Sequence, residues 1–284
     1  MRMIFLIMLS ISTFSLSGWG RRLKLFEYRI LSAKEVRKMG FEHVLSDGVY
    51  VLTEGRIYLL KNAVVDSGFS DEEFLEKEVF IYKLAQRCSI SNIAEVRIVR
   101  TGDLKGTELG KWLEERGFTI AILTRWVEEY EKIPAVRNPS WREELVAFWV
   151  FVRDFDHWVE GVDTNFYRFV TGGSEYGISY DNNRAMLVKP SDEVSNHVEG
   201  GSSALYYLIS SPDLSYRRLS EVIERIVAVS EEEIRDIAIE SGIPEKEINR
   251  MVEYLIYTRD NLFKDVESLV EEIRGEEVSL RKDR

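Results

Sequence analysis

One cysteine, Cys88, in 284 residues leaves no internal disulfide framework and no multi-cysteine zinc site. Three histidines, His43, His157 and His197, are too few for a histidine-rich metal cluster. Basic charge is short as well: 38 Lys and Arg stand against 49 Asp and Glu, a net charge of −11. Neutralising a phosphate backbone takes a basic face, so no nucleic-acid partner is expected. An anionic small ligand is compatible with that balance, because one lysine or a bound cation holds phosphate inside an acidic protein. Apolar runs near a terminus are confined to residues 3–17, MIFLIMLSISTFSLS. Serines and a threonine interrupt that run, and it is too short for a comfortable membrane span. Arg2 ahead of it and the small residues Ser15 and Ser17 fit a secretory signal or anchor. A buried N-terminal element or a start placed too far upstream fits the same residues. A cytoplasmic location is expected, with export or membrane association arising only through this segment.

What is present suffices for a core: 45% of residues are hydrophobic and 31% charged, far from a disordered composition. From Phe41 to Ala63 the pattern is strand-like. VYVLT (49–53) and RIYLL (56–60) are joined by Glu54-Gly55, which reads as a hairpin turn. Alternation places Ile57, Leu59 and Lys61 on one face, so a lysine ends an apolar row. A lysine snorkelling off a strand end accounts for that on periodicity alone.

Ser70 and Glu73 form a capping box that opens a helix running to about Arg87. Phe74, Ile81, Tyr82 and Ala85 make its apolar stripe, and Glu78 falls inside it. A carboxylate on that face must find a partner or shift its pKa, and Lys61 is the candidate cation. Glu72, Glu73 and Glu76 are expected in solvent. FTIAIL (118–123) reads as an interior strand that turns polar at Thr124-Arg125. Ser140 and Glu143 predict a second capping box, ahead of a helix burying Trp141, Leu145, Phe148, Trp149 and Val152. Strands FYRFV (166–170) and YGISY (176–180) flank a Gly-centred loop. Symmetric pairing about Gly173 would bring Asn165 and Asp181 together at the open end, a spacing that suits two oxygen ligands of one hard cation. Both are also ordinary turn residues. The remainder reads as helical. Ser230 and Glu233 form a third capping box, Pro244 fits an N1 position, and EEVSLRKDR reads as a solvated tail. A β-containing first third thus feeds a mostly helical remainder, an α+β plan.

In order, these pieces resemble a protein-kinase-like fold of the atypical branch that includes HipA-type kinases and phosphatidylinositol 3- and 4-kinases. The likeness rests on YLLKNA (58–63), EKEVFIYKLA (76–85), IAILTRW (120–126), FDHWVEGVDTNF (155–166), GISYDNNRAM (177–186), GIPEKEI (242–248) and YLIYTRDNL (254–262). It implies a bilobal molecule, with a small β-rich N-lobe at 21–126, a larger helical C-lobe at 127–284, and 1–20 as a separate apolar segment. It further implies an ATP- and Mg²⁺-dependent kinase acting on a hydroxyl, with a protein Ser or Thr as the favoured acceptor. Lys61 would hold the α- and β-phosphates with Glu78 fixing its orientation. Asn165 and Asp181 would hold Mg²⁺, Asp163 would serve as base, and the backbone at Leu123 and Thr124 would meet the adenine edge. Ser46-Asp47-Gly48 would cover the phosphates, in place of a standard glycine-rich loop. Protein kinases place the metal Asn five residues after the catalytic Asp, whereas Asp163 and Asn165 are two apart, so Asp156 or Asp154 is the alternative base. His157 is then an orienting group or a packed histidine. Two other functions fit the same residues. One is a pseudokinase that binds nucleotide or acts as a scaffold; the other is an AMP transferase or a lipid or small-molecule kinase.

Overall fold

The computed structural model describes residues 28–41, 48–61, 71–126, 138–159, 166–171, 174–180, 182, 185–186, 189–194, 198 and 203–280. The β-branched and aromatic runs of the first third pair into one antiparallel sheet. Its strands are β1 (Arg29–Ser32), β2 (Val49–Thr53), β3 (Arg56–Lys61), β4 (Val96–Arg100) and β5 (Ile120–Arg125), in the order β1-β2-β3-β5-β4. The β2–β3 turn is the expected one. Glu54 and Gly55 have φ of 52° and 73°, the two positive values that a type I′ hairpin requires. β5 lies between β3 and β4, which explains its unbroken apolar character.

Three helices accompany the sheet among the described residues: α1 (Ala33–Lys38), α2 (Asp71–Arg87) and α3 (Glu108–Glu114). One sheet face, with Val51, Tyr58, Leu60 and Leu123, packs on Leu109 and Leu113 of α3. On the other, Val96, Ile120 and Ile122 pack on Leu75 and Val79 of α2.

The second layer is built round α4 (Trp141–Val152), every residue of which is buried. A helix apolar nearly all round belongs in the middle of a core. It is surrounded by α6 (Ala204–Ser210), α7 (Tyr216–Val227), α9 (Glu245–Arg274) and the hairpin of β6 (Phe166–Thr171) and β7 (Ser174–Ser179). α5 (Phe155–Val159) follows α4, and α8 (Glu231–Glu240) precedes α9 and packs on α2. A five-stranded antiparallel sheet with a mostly helical remainder is the expected α+β class, and the arrangement is consistent with a kinase-like bilobal fold. No described helix is long and apolar enough to cross a membrane, and residues 3–17 lie outside the described ones.

Local expectations are corrected in five places. Glu76 is not solvated: it is 4% exposed and pairs with Arg100 at 2.9 Å, because α2 is enclosed by the sheet on one side and α8 on the other. Ser140 makes no side-chain cap on α4. The Glu143 carboxylate is taken instead by the backbone N–H of Ser215 at 2.7 Å and by the Arg218 guanidinium. Pro244 is the N-cap of α9 rather than N1. The tail is not solvated through its described length, since Val278 and Leu280 are buried and Ser220 donates to the Leu280 carbonyl at 2.6 Å.

The fifth correction is register. β6 and β7 pair Phe166 with Ser179 and Thr171 with Ser174, so the pairing is not centred on Gly173. Asn165 and Asp181 are expected to oppose each other on a pairing centred on Gly173. Both residues lie outside the described ones.

Candidate active site

Lys61 closes β3 opposite Ile122 of β5, and cross-strand partners share a face. α2 lies over that face, with Val79 packed against Ile122. The residue before Val79 is Glu78, which therefore points into the region that Lys61 enters. Lys61 Nζ stands 3.6 Å from Glu78 Oε1, with side chains 20% and 1% exposed. The pair joins strand to helix across an apolar floor, as the sequence spacing suggests.

One residue earlier on α2, Lys77 points elsewhere. Burial pushes its ammonium down to about 8; the charge of Asp154 partly offsets this and that of Arg250 adds to it. Asp154 follows Arg153, which ends α4 in the left-handed region at φ 53°. Arg153 is held there by Asp265 at 2.6 Å and the Pro190 carbonyl at 3.1 Å. Asp154 Oδ1 lies 3.1 Å from His157 Nδ1, and His157 Nε2 lies 3.0 Å from Ser179 Oγ. Trp149 donates its indole N–H to Ser179 Oγ at 3.1 Å, stacks on the His157 ring, and Ser179 Oγ donates to Asn182 Oδ1 at 2.9 Å.

An Asp–His–Ser row of this kind is also the layout of a nucleophilic hydrolase. Here it cannot serve as one. All three side chains are buried, and Ser179 Oγ already lies within hydrogen-bond distance of Asn182, Trp149 and His157, which leaves no approach for a substrate. His157 is thus both a packed histidine and one that orients Ser179. Asp154 and Asp156 are buried too, which suits bracing residues better than a base that must meet a substrate hydroxyl.

The same hairpin ties the two layers together. Ala94 donates its N–H to the Ser179 carbonyl and Ser179 donates to the Asn92 carbonyl, each at 2.9 Å. The Asn92 amide donates to the Gly177 carbonyl at 2.7 Å. Gly177 has to be glycine, because an added Cβ would come within 2.1 Å of the Phe166 ring and 2.5 Å of the Trp141 ring.

Other predicted site residues fare differently. Gly48 precedes β2 with the Tyr50 ring against it, 2.9 Å from where a Cβ would stand. Leu123 and Thr124, around which the adenine edge is expected, lie inside the sheet. Both residues pair with β3 on one side and β4 on the other, so their N–H and C=O groups are spent inside the sheet. At the end of the strand Arg125 donates to the Glu95 carbonyl, and just past it Trp126 donates to the Ile57 carbonyl. Residues 127–137 lie outside the described ones, as do Ser46, Asp163, Asn165 and Asp181. Among the described residues there is no cluster of three or more His, Cys, Asp or Glu able to hold a metal ion.

Sequence reasoning missed the Arg153–Asp265 pair, the Ser179 network and an aromatic group of Tyr50, Trp126 and Tyr180. The one local signal was the acidic run after α4, which is too polar to be a plain loop in the middle of a core.

No protein-family model matches the chain, and no curated protein matches it. Among solved structures, the crystal structure of a Helicobacter pylori proinflammatory kinase, CtkA, is similar with a TM-score of 0.38 and 10% identity, over 82% of this chain and 98% of that one. Similarity at that level assigns neither family nor activity.

Proposed function

We propose that the protein is an ATP- and Mg²⁺-dependent phosphotransferase that passes the γ-phosphoryl group to a hydroxyl, with a protein serine or threonine as acceptor. The observation that carries this reading is the Lys61–Glu78 pair. A strand-end lysine left to itself extends into water. This one turns towards a carboxylate that is all but buried, and a pair of that kind is a poor source of stability. What it supplies is a cation fixed in direction yet still partly open, which fits a phosphate group. Lys61 would bind the α- and β-phosphates and Glu78 would hold its amine in place. Asn165 and Asp181, on sequence grounds, would hold the Mg²⁺, which when bound neutralises phosphate charge. Asp163 would orient the acceptor hydroxyl, since Asp154 and Asp156 are buried. The division into lobes at 21–126 and 127–284 belongs to the same proposal.

A nucleotide-binding or scaffolding role without transfer is the second reading. The two-residue spacing of Asp163 and Asn165, against five in protein kinases, favours it. Incubation with γ-labelled and α-labelled ATP, with and without Mg²⁺, separates the two. Transfer of γ-label that needs Mg²⁺ and falls more than tenfold in Glu78→Gln is the expected result. Exposed Glu114→Gln is the control and should behave as wild type. Transfer of α-label identifies an AMP transferase, and no transfer of either leaves the second reading.

A further inference from the structure

Lys61 shares its sheet face with Leu59 and Ile57, two and four residues back along β3. Two residues of strand cover about 6.6–6.8 Å. On the nucleotide reading above, a nucleotide with its phosphates at Lys61 and laid back along β3 would put its base over Leu59 and Ile57. That surface is covered: the two residues are 7% and 5% exposed. Tyr50 reaches over it from β2, and Ile178 and Tyr180 close it from the hairpin. The piece between them is the indole of Trp126, the residue straight after β5. Its ring meets Tyr50 edge-on, with centroids 5.9 Å apart and planes at 73°, and lies 5.5 Å from Tyr180 at 48°.

An indole is a flat fused bicycle, as a purine is, and makes the same kinds of ring contact. We propose that Trp126 is a resident stand-in for the nucleotide base: its ring fills the base slot in the closed form and must swing out before a purine nucleotide can seat. Rotation of the side chain leaves the bond from the Trp126 N–H to the Ile57 carbonyl, 2.9 Å, intact, so the swing costs no sheet bond. Only the fraction of molecules with the ring out is competent to bind, which divides the apparent affinity by that fraction. The contact is autoinhibitory.

The test uses two probes on the full chain, Mg-ATP and Mg-tripolyphosphate, the second having phosphates and no base. Binding is measured by titration calorimetry for wild type, Trp126→Ala, the milder Trp126→Leu and Lys61→Ala, each first shown folded by its melting curve. At least one folded Trp126 variant should bind Mg-ATP ten times more tightly or better, about 1.4 kcal/mol, with tripolyphosphate affinity unchanged. If every folded Trp126 variant binds Mg-ATP no better than wild type, the inference is overturned. An equal gain for tripolyphosphate, which would mean general loosening, overturns it as well. If Lys61→Ala weakens both probes while the Trp126 variants change nothing, the plug alone fails and the phosphate site stands. If no variant binds either probe, or Lys61→Ala binds both as wild type does, the site itself is wrong and both readings fall together.

Discussion

Lys77 shows what a single buried charge does to this protein. Its neighbours on α2, Glu76 and Glu78, have cations at 2.9 and 3.6 Å, whereas Lys77 is dominated by the loss of water. Its folded pKa of about 8 lies below the ordinary value of 10.5. Between those two values the unfolded chain carries the proton and the folded one does not, so stability rises as pH increases from about 8 to 10.5 and the penalty is fully present below 8. A shift of that size corresponds to roughly 3 kcal/mol at most. Denaturant unfolding at intervals across that window should show wild type gaining stability and Lys77→Met lacking the gain. Parallel curves for the two proteins would mean that Lys77 titrates normally.

At the scale of elements, two helix starts that look alike in sequence behave differently. Ser230 accepts the Glu233 N–H and Glu233 reaches back to the Ser230 N–H, a complete capping box. At Ser140 the same S-x-x-E spacing makes no box, because Glu143 is claimed by Ser215 and Arg218 from far along the chain. Ser230→Ala should therefore cost about 1 kcal/mol and Ser140→Ala only a few tenths, measured by urea unfolding. The contrast marks the boundary of what is legible in the sequence. Local, periodic features can be read there: the β2–β3 hairpin, the buried β5, the end of α2 at Arg87, and the Lys61–Glu78 pair, each fixed by alternation or helical spacing. Features decided by a distant competitor or by parity cannot. The β6–β7 register turned on where the pairing is centred, and side-chain alternation is ambiguous when the turn residues carry no side chain to read.

Across the whole molecule, the unread part of the sequence is the part that closes one layer on another. Glu76 is buried because α8 packs over α2, and the tail is buried because α7 and α9 leave a place for it. Neither follows from residues within a few positions. Leu280 is a buried member of the helical core, so Leu280→Ala should destabilise by about 2–4 kcal/mol in urea unfolding. A loss below about 0.5 kcal/mol would mean that the tail is frayed in solution. The layers themselves meet through α2, and its three consecutive charges belong to three separate surroundings: Glu76 pairs with Arg100 at the end of β4, Lys77 feels the charge of Asp154 after α4, and Glu78 pairs with Lys61 on β3. Successive residues of a helix point about 100° apart. Turning α2 by even one residue's worth would hand each charge to the wrong neighbour at once, placing glutamate where lysine now feels the charge of Asp154. The helix is therefore keyed like a three-toothed shaft: it can slide out whole or stay seated, but it has no intermediate angle at which to rest.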